Sequence, residues 1–420
     1  MNYWQHLEAS WSRHCLQRFG TYSGRFQVSR ISEVNRANLR YDAKPSRLPE
    51  MPDDALKFYM DESGFTGEYL MSREQPVFVH VSTTLSAARS AELYGAFFQG
   101  TQAPELKHAI LARRPAGRER ILRFIEAIGS DDRASFTSWL VHKEFALLTY
   151  LVDTWVESAA YLDGIDLYQD GANLAMCNMA YFCLPAFQGE HFLHGHLLRF
   201  QSMMMKRTPA SYAAFWSHVH ADYERADDRT REILTPFLHA GMKLGFAHLL
   251  RLPKRAIDPA LTTAVCTCGH WRKTTELPLD LIHDRSSSLA KDKELWDRIT
   301  SPDVDRMTLG IPGRDTAYPL NVRGTTFADS KAVLQLQFCD LLAGAAAAWA
   351  RNRIGAGSDQ DYADRLEAAG IGEFEIGSIW PAPAFDPDAL GMRGWSGKYA
   401  DAVTEQLAKL DKSGKSPPDQ

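Results

Sequence analysis

Three short runs of β-branched and aromatic residues in the first third of the chain predict strands. The run KFYMDESG ends in turn residues, and PVFVHVSTT, from Pro76 to Thr84, is dense in Val and Phe. A third run, SFTSWLV, covers Ser135 to Val141. Runs of this length, bounded by turn residues, are typical of strands in a sheet interior. They predict the first half of a β-sheet.

Helical periodicity follows the strand runs and then dominates the middle of the chain. GRERILRFIEAIG has apolar residues at positions 121, 122, 124, 125 and 128, which is the spacing of one helix face. From Phe145 to Leu250 the pattern consists of long helical stretches, such as FALLTYLVDTWVESAAYL. Strand-like sequence returns at LPLDLIHD, Leu277 to Asp284, and an apolar helix is predicted from Lys331 to Arg351.

These elements predict an α/β protein with a mixed sheet flanked by helices and a large helical insertion. The sheet domain is assigned to residues 55–144 and 255–351, and the insertion to residues 145–254. Residues 1–54 are predicted to form an N-terminal helical extension. Residues 352–420 are predicted to form a C-terminal extension whose last part, KSGKSPPDQ, has the composition of a disordered tail.

Composition and charge narrow the class of protein. Of the 420 residues, 45% are hydrophobic and 24% are charged, as in a folded globular protein. The net charge of -5 argues against coating of nucleic acid or membrane by bulk electrostatics. Six scattered cysteines form no disulfide framework, the N-terminal residues have no apolar signal-peptide core, and no apolar stretch is long enough for a membrane span. We therefore expect a cytoplasmic protein.

Acidic residues stand where predicted strands run into turns. Asp61 and Glu62 follow an apolar run and precede Gly64, and strand alternation places the two carboxylates on opposite faces. Asp284 closes LDLIHD in the same way. Each pattern also has a plain structural explanation, because Asp61 and Glu62 would be solvated at a strand-end turn and Asp284 would cap the following helix.

Asp340 is the most informative acid, because its helix is apolar on nearly every side. Its own face carries small residues, among them Ala343 and Gly344, which would allow close approach to a sheet. A carboxylate buried there is costly unless a cation or several donors compensate it. A single hydrogen-bonded Asp is the alternative. We predict that Asp61, Asp284 and Asp340 bind Mg²⁺ or Mn²⁺, both of which prefer oxygen ligands.

Four segments, FYMDESGF, ELKH, LIHDRS and DSKAVLQLQFCDLLAGA, resemble the bacterial and phage family known as domain of unknown function 3800. The resemblance covers roughly residues 55–350. It implies a ribonuclease H-like fold and a divalent-metal-dependent nuclease, with DNA or RNA as the substrate. Asp61, Asp284 and Asp340 match the family's acids, while Glu105 and Lys107 match its Glu-x-Lys, implying a fourth carboxylate and a cation that faces a phosphate. The chain departs from the family where Gln337, Phe338 and Cys339 precede Asp340.

Other patterns leave further hypotheses open. Cys266, Cys268 and His270 have the residue types of a zinc site but an unusually tight spacing, and HFLHGH could place His191 and His194 on one helical face. His283 could move a proton beside the acids. The basic residues around Arg113 to Arg120 either are solvated or line a substrate groove.

Two other functions compete with the nuclease. The first is a non-catalytic, phage- or defence-associated interaction protein, whose helical insertion would contact a protein partner or a second copy of the chain. The second is an enzyme that acts on a nucleotide or another phosphorylated small molecule with the same acids.

Overall fold

The computed structural model describes residues 54–101, 105–285, 288–291, 293–304, 306–309 and 316–384. All of them belong to one compact unit, residues 51–420. The predicted helix in the N-terminal extension and the predicted disordered tail lie outside the described residues.

A six-stranded mixed sheet forms the centre of the described chain, with the strand order β7-β4-β1-β2-β3-β8. β1 pairs in parallel with β4, and β4 pairs in parallel with β7. β2 is antiparallel to both β1 and β3, and β8 is parallel to β3, so β2 alone runs against the other five strands. β5 and β6 form a separate antiparallel pair. The strands are β1 Leu56–Ser63, β2 Val77–Thr83, β3 Phe136–His142, β4 Leu279–Asp284, β5 Met307–Leu309, β6 Thr316–Tyr318, β7 Val322–Ala328 and β8 Glu375–Ile379.

Helices cover both faces of this sheet, which confirms the predicted mixed α/β architecture. The helices of the described chain are α1 Ala87–Phe97, α2 His108–Leu111, α3 Pro115–Asp131, α4 Lys143–Leu151, α5 Glu157–Leu162, α6 Ala172–Gln188, α7 His191–Lys206, α8 Pro209–Arg225, α9 Asp228–Arg251, α10 Pro259–Thr274, α11 Ser288–Lys291, α12 Lys293–Ile299, α13 Leu334–Arg353 and α14 Gln360–Ala368. A π-helical turn, Val152–Val156, joins α4 to α5. None of the described helices is long and apolar enough to cross a membrane.

The two faces of the sheet have different cores. On one face, Val79 and Val81 of β2 pack in the same cluster as Phe338 and Leu342 of α13, together with residues of α1 and α3. On the other face, Phe58 and Met60 of β1 pack with α10 through Ala264, Cys268 and Trp271. Alternation along β1 therefore directs odd-numbered side chains toward α13 and even-numbered ones toward α10.

The predicted helical middle of the chain is helical, and the helix that follows it packs against the sheet. Helices α4 to α9 run from Lys143 to Arg251, and α10 then packs under the sheet. Residues after Arg353 also contribute to the sheet domain, since β8 extends the sheet edge and Phe374 is fully buried. The sequence prediction placed this segment in an extension because EIGSI is too short to stand out as a strand.

Candidate metal centre

Asp61 lies near the end of β1, on the sheet face that α13 covers. Its Cα pairs with that of Val81 on β2, and its Oδ1 accepts a hydrogen bond of 2.8 Å from the backbone N–H of Glu62. The strand ends at Ser63, and Gly64, the next residue, has φ +81°. A Cβ at this position would lie 2.1 Å from the carbonyl oxygen of Val77. Glycine is therefore required for the turn that directly follows the acid.

Asp284 comes from the neighbouring parallel strand. The pairing of Met60 with His283 places the next residues of both strands, Asp61 and Asp284, on the same face. Asp284 is buried, with 7% of its surface exposed. It is the last residue of β4, and α11 begins four positions later at Ser288, so Asp284 is not the N-cap of that helix.

The third acid, Asp340, is brought to the same face by α13. This helix packs so closely over β1 that the Sγ of Cys339 lies 3.5 Å from the carbonyl oxygen of Tyr59. Oδ1 of Asp340 accepts a 2.9 Å hydrogen bond from the backbone N–H of His108. Gly344, one turn further along, allows this approach, because a Cβ there would lie 2.4 Å from the Cβ of His108. The small residues of α13 thus allow close packing against His108 as well as against the sheet.

Glu105 and Lys107 lie just before α2 and are held against α13. The carbonyl oxygen of the Gln337 side chain accepts a 2.9 Å hydrogen bond from the N–H of Leu106, and its amide nitrogen donates to the carbonyl of Ser330 at 2.9 Å. Ser330 in turn donates from its hydroxyl to Oε1 of Glu105 at 2.6 Å. Gln337 therefore positions the segment from Glu105 to Lys107.

Lys107 is the cation of the centre. Its Nζ lies 3.4 Å from Oε1 of Glu105, and 44% of its side chain is exposed. Burial lowers the pKa of Lys107, but the carboxylates of Glu105, Asp340 and Asp61 outweigh this effect and raise it. Lys107 therefore remains charged and can reach solvent beside the acids.

The carboxylates repel one another strongly. Burial raises the pKa of Asp61 well above its usual range, and the charges of Glu62, Asp340 and Asp284 raise it further. Burial also raises the pKa of Asp340, although the His108 N–H and Lys107 oppose that rise. Negative charge is thus concentrated on one side of the sheet, where a divalent cation would relieve the repulsion.

The donor set of this centre suits a hard cation, but the acids are spread out. Carboxylate oxygens are the ligands that Mg²⁺ and Mn²⁺ prefer. Among the described residues, two other groups hold three ligand atoms all within 4.8 Å of one another, and the three aspartates are not such a group. To bind a single ion, the three carboxylates would therefore have to move closer together. Otherwise, they would bind more than one ion between them.

Glu62, His80 and His283 form one of those tighter groups, on the opposite face beneath α10. His283 is fully buried, so it points away from the aspartates and does not sit where the sequence hypothesis required a proton carrier. Its Nε2 lies 3.2 Å from Nε2 of His80 and 3.6 Å from Oε2 of Glu62. Nδ1 of His80 lies 2.9 Å from the hydroxyl oxygen of Thr263. These contacts connect β1, β2 and β4 to α10.

The remaining sequence candidates make contacts of other kinds. Cys266, Cys268 and His270 lie on α10, where residues two positions apart point in different directions, and Cys268 packs in the core. Arg118 makes an ion pair of 2.6 Å with Asp359, and Arg120 donates to the Thr101 hydroxyl. The structure thus gives these two basic residues partners within the protein.

HFLHGH begins α7, and its histidines have different surroundings. His194 lies 3.2 Å from Glu144, whereas His196, which the sequence interpretation did not place on the face of His191 and His194, contacts His218 and Asp222 of α8. The spacing of His218 and Asp222, four residues apart on one helix, was an available signal for this second tight group. His80 had no such signal, because Thr263 and His283, which its ring nitrogens contact, are more than 180 residues away in sequence.

Comparison of the chain with protein families, with curated proteins and with solved structures finds no match.

Proposed function

We propose that this protein is a divalent-metal-dependent nuclease that hydrolyses phosphodiester bonds on a ribonuclease H-like sheet, with helices α4 to α9 as an insertion. The strand order supports the fold, since the five strands β7-β4-β1-β2-β3, with β2 alone reversed, have the order expected for a ribonuclease H-like sheet. The observation that carries the proposed activity is that Asp61, Asp284 and Asp340 lie near one another. The charges of Asp284 and Asp340 raise the pKa of Asp61.

Asp61, Asp284 and Asp340 would hold Mg²⁺ or Mn²⁺. Their oxygens fit a hard cation, and the electrostatic cost of bringing them together is what such a cation would remove. When bound, the metal supplies Lewis-acid stabilisation of a phosphodiester and lowers the pKa of a water ligand.

The other residues of the centre have roles that follow from their contacts. Lys107, charged and partly exposed beside the acids, would bind a phosphate oxygen of the substrate. Glu105 holds Lys107 in place through their ion pair and is itself fixed by Ser330. Glu105 therefore orients the lysine and adds a fourth carboxylate near the aspartates.

A groove on the same sheet face offers a path for the substrate. It has a volume of about 300 Å³ and is lined by Lys57, Tyr59, Ile282, Gly324 and Thr326, among others. Tyr59 and Ile282 lie two residues before Asp61 and Asp284, so alternation places them on the acids' face. A strand of nucleic acid lying in this groove would place a base on Tyr59 and bring its backbone toward the aspartates.

The test is cleavage of labelled single-stranded DNA, duplex DNA, RNA and RNA–DNA hybrid by the full-length protein with Mg²⁺, Mn²⁺ or EDTA. We expect divalent-dependent cleavage whose rate falls by more than about 100-fold in Asp61→Asn and Asp340→Asn. Loss of a residue that hydrogen-bonds a metal ligand typically lowers activity about 10- to 100-fold, and loss of the ligand itself should lower it further. Asp364→Asn, which neutralises an exposed carboxylate on α14, serves as the matched control and should retain activity. Cleavage that persists in both active-site variants would refute the assigned roles.

A second candidate function is supported by exposed apolar side chains on the helical segment. Met242 and Leu250 of α9 are 77% and 56% exposed, and Leu162 and Tyr161 at the end of α5 are 61% and 50% exposed. The two places are adjacent, because Asp163 binds His239 and Lys243 of α9, and apolar side chains grouped in solvent are typical of protein interfaces. An interaction protein of this kind would bind no Mg²⁺ or Mn²⁺ at millimolar concentration in calorimetry, whereas the nuclease would bind both.

A further inference from the structure

His196, His218 and Asp222 form a compact group between two neighbouring helices, α7 and α8. Nε2 of His196 lies 3.4 Å from Oδ2 of Asp222, and Nε2 of His218 lies 3.1 Å from the same oxygen. The imidazole rings of the two histidines have centroids 4.6 Å apart. All three ligand atoms lie within 4.8 Å of one another. The group belongs to the helical segment, and the proposed nuclease chemistry does not use it.

The hydrogen bonding of His196 determines which of its nitrogens carries the proton. Nδ1 lies 2.9 Å from the carbonyl oxygen of Phe192, and because a carbonyl can only accept, Nδ1 must donate. Neutral His196 therefore has a bare lone pair on Nε2. This nitrogen makes no hydrogen bond within the part of the chain that the structure describes, and His196 is only 5% exposed.

Two acceptors consequently face each other in a buried place. The Nε2 lone pair of His196 points at a carboxylate oxygen of Asp222, which is itself 11% exposed. A proton on Nε2 would reconcile them, but it would place a charged imidazole where only 5% of His196 is exposed, and burial disfavours the charged form. A cation between the two atoms would satisfy both of them.

We propose that His196, His218 and Asp222 bind a divalent transition metal of the zinc class, coordinated by two imidazole nitrogens and one carboxylate oxygen. Zinc accepts this combination, and three protein ligands leave a fourth position for water. His218 is 25% exposed in its side chain, so solvent reaches the site. The bound ion would fasten α7 to α8.

The surroundings are arranged as metal-binding residues require. The bond from Nδ1 of His196 to a backbone carbonyl fixes the ring so that Nε2 is the ligand atom. Arg225 donates to Oδ1 of Asp222 and leaves Oδ2 for the ion. Arg225 and Arg199 add positive charge nearby, and the charge of Asp222 opposes it. Mg²⁺, which prefers oxygen ligands, does not match two imidazoles.

The other tight group, Glu62, His80 and His283, does not require a cation in the same way. The Thr263 hydroxyl donates to backbone carbonyls of its own helix, so it accepts from Nδ1 of His80. Nε2 of His80 then accepts from Nε2 of His283 at 3.2 Å. The two Nε2 atoms thus satisfy each other, although Nδ1 of His283 has no hydrogen-bond partner among the described residues. In the first group, by contrast, the unsatisfied Nε2 of His196 faces an acceptor, Oδ2 of Asp222.

The proposal is tested by titrating the full-length, metal-stripped protein with Zn²⁺ against a chromophoric chelator, and with Co²⁺ while recording its visible ligand-field bands. We expect Zn²⁺ to bind and to raise the melting temperature. Asp222→Asn and His218→Gln should each weaken Zn²⁺ binding by about 100-fold or more and remove the Co²⁺ bands. His218 is partly exposed, so its replacement leaves the core between the helices in place.

Two control variants make the result specific. His220→Gln changes an exposed histidine on the same helix, and His80→Gln changes the other histidine group. Both should retain the wild-type affinity for Zn²⁺. Equal weakening in His220→Gln, loss of the tight site in His80→Gln, or unchanged binding in Asp222→Asn would each overturn the proposal.

Discussion

At the scale of a single residue, the charge of Asp61 affects the stability of the fold. Its carboxylate is partly buried beside Glu62, Asp340 and Asp284, and burial together with these charges raises its pKa. A raised pKa means that the folded protein holds this proton more tightly than the unfolded chain does. At neutral pH the ionised Asp61 therefore destabilises the metal-free fold, and a bound cation would reverse that effect.

We expect Asp61→Asn to stabilise the metal-free protein by on the order of 1 kcal/mol at pH 7.5, since each unit of pKa shift corresponds to about 1.4 kcal/mol. The gain should shrink as the pH is lowered toward 5, because the wild-type carboxyl then becomes protonated in the fold. Thermal unfolding in EDTA measures the difference between variant and wild type at each pH.

The same comparison in Mg²⁺ distinguishes charge repulsion from a packing effect. Mg²⁺ should raise the melting temperature of the wild type and have little effect on Asp61→Asn. Asp364→Asn should stay within about 0.5 kcal/mol of the wild type throughout, as is usual for an exposed position. A destabilised Asp61→Asn protein in EDTA would contradict the expected repulsion.

At the scale of elements, α13 organises the centre. It carries Asp340 over β1, anchors residues 105–108 through Gln337, and receives His108 against Gly344. Its apolar sequence predicted a buried helix, and its buried residues confirm that prediction. Sequence periodicity did not predict which other segment would contact Asp340, because that partner is more than 200 residues away in the chain.

Gly344→Ala should destabilise the protein by about 1–3 kcal/mol, since a Cβ would lie 2.4 Å from His108 and the site is already packed. Displacement of His108 would also break the hydrogen bond from its N–H to Asp340. The cleavage rate should therefore fall by more than the loss of folded protein explains. Urea unfolding and cleavage rates measure the two effects.

Gly95→Ala is the matched control, because Gly95 is also helical and a Cβ there meets nothing within 4 Å. That change should stabilise the protein by about 0.5–1 kcal/mol through the better helix propensity of alanine. If Gly344→Ala behaves like Gly95→Ala, then the close packing of α13 against His108 is not a constraint.

At the scale of the whole molecule, buried histidines bear on the response to acid. Burial lowers the pKa of five imidazoles, those of His80, His108, His142, His196 and His283. The pKa of His80 falls well below its usual value, and the pKa of each of the other four falls to about 4. Each ring is neutral in the fold but takes up a proton near pH 6.5 when the chain unfolds. The raised pKa values of Asp61, Asp153 and Asp340 act in the opposite direction and are fewer.

The free energy of unfolding should therefore fall as the pH is lowered from about 6.5 to about 4, by up to about 1.4 kcal/mol per pH unit for each net proton taken up. Urea midpoints at pH 7.5, 6 and 5 measure this slope. His108→Gln should reduce the number of protons taken up on unfolding by up to one, so the free energy of unfolding should depend less steeply on pH. A midpoint that does not change with pH would contradict the prediction.

The sequence by itself determined most of the elements of the sheet and singled out Asp61, Asp284 and Asp340 as candidates. Alternating and helical periodicities are local, so they predicted β1 to β4, the helical middle and α13, and they separated Asp61 from Glu62 across the sheet. Only the tertiary structure decided which side chains meet. The meeting of Asp61, Asp284 and Asp340 depends on strand order and helix packing across more than 200 residues. His196 gained its partners because α7 packs against α8. His283 lies on the face opposite Asp284, as alternation along β4 requires of adjacent residues, and the tertiary structure brought it to His80.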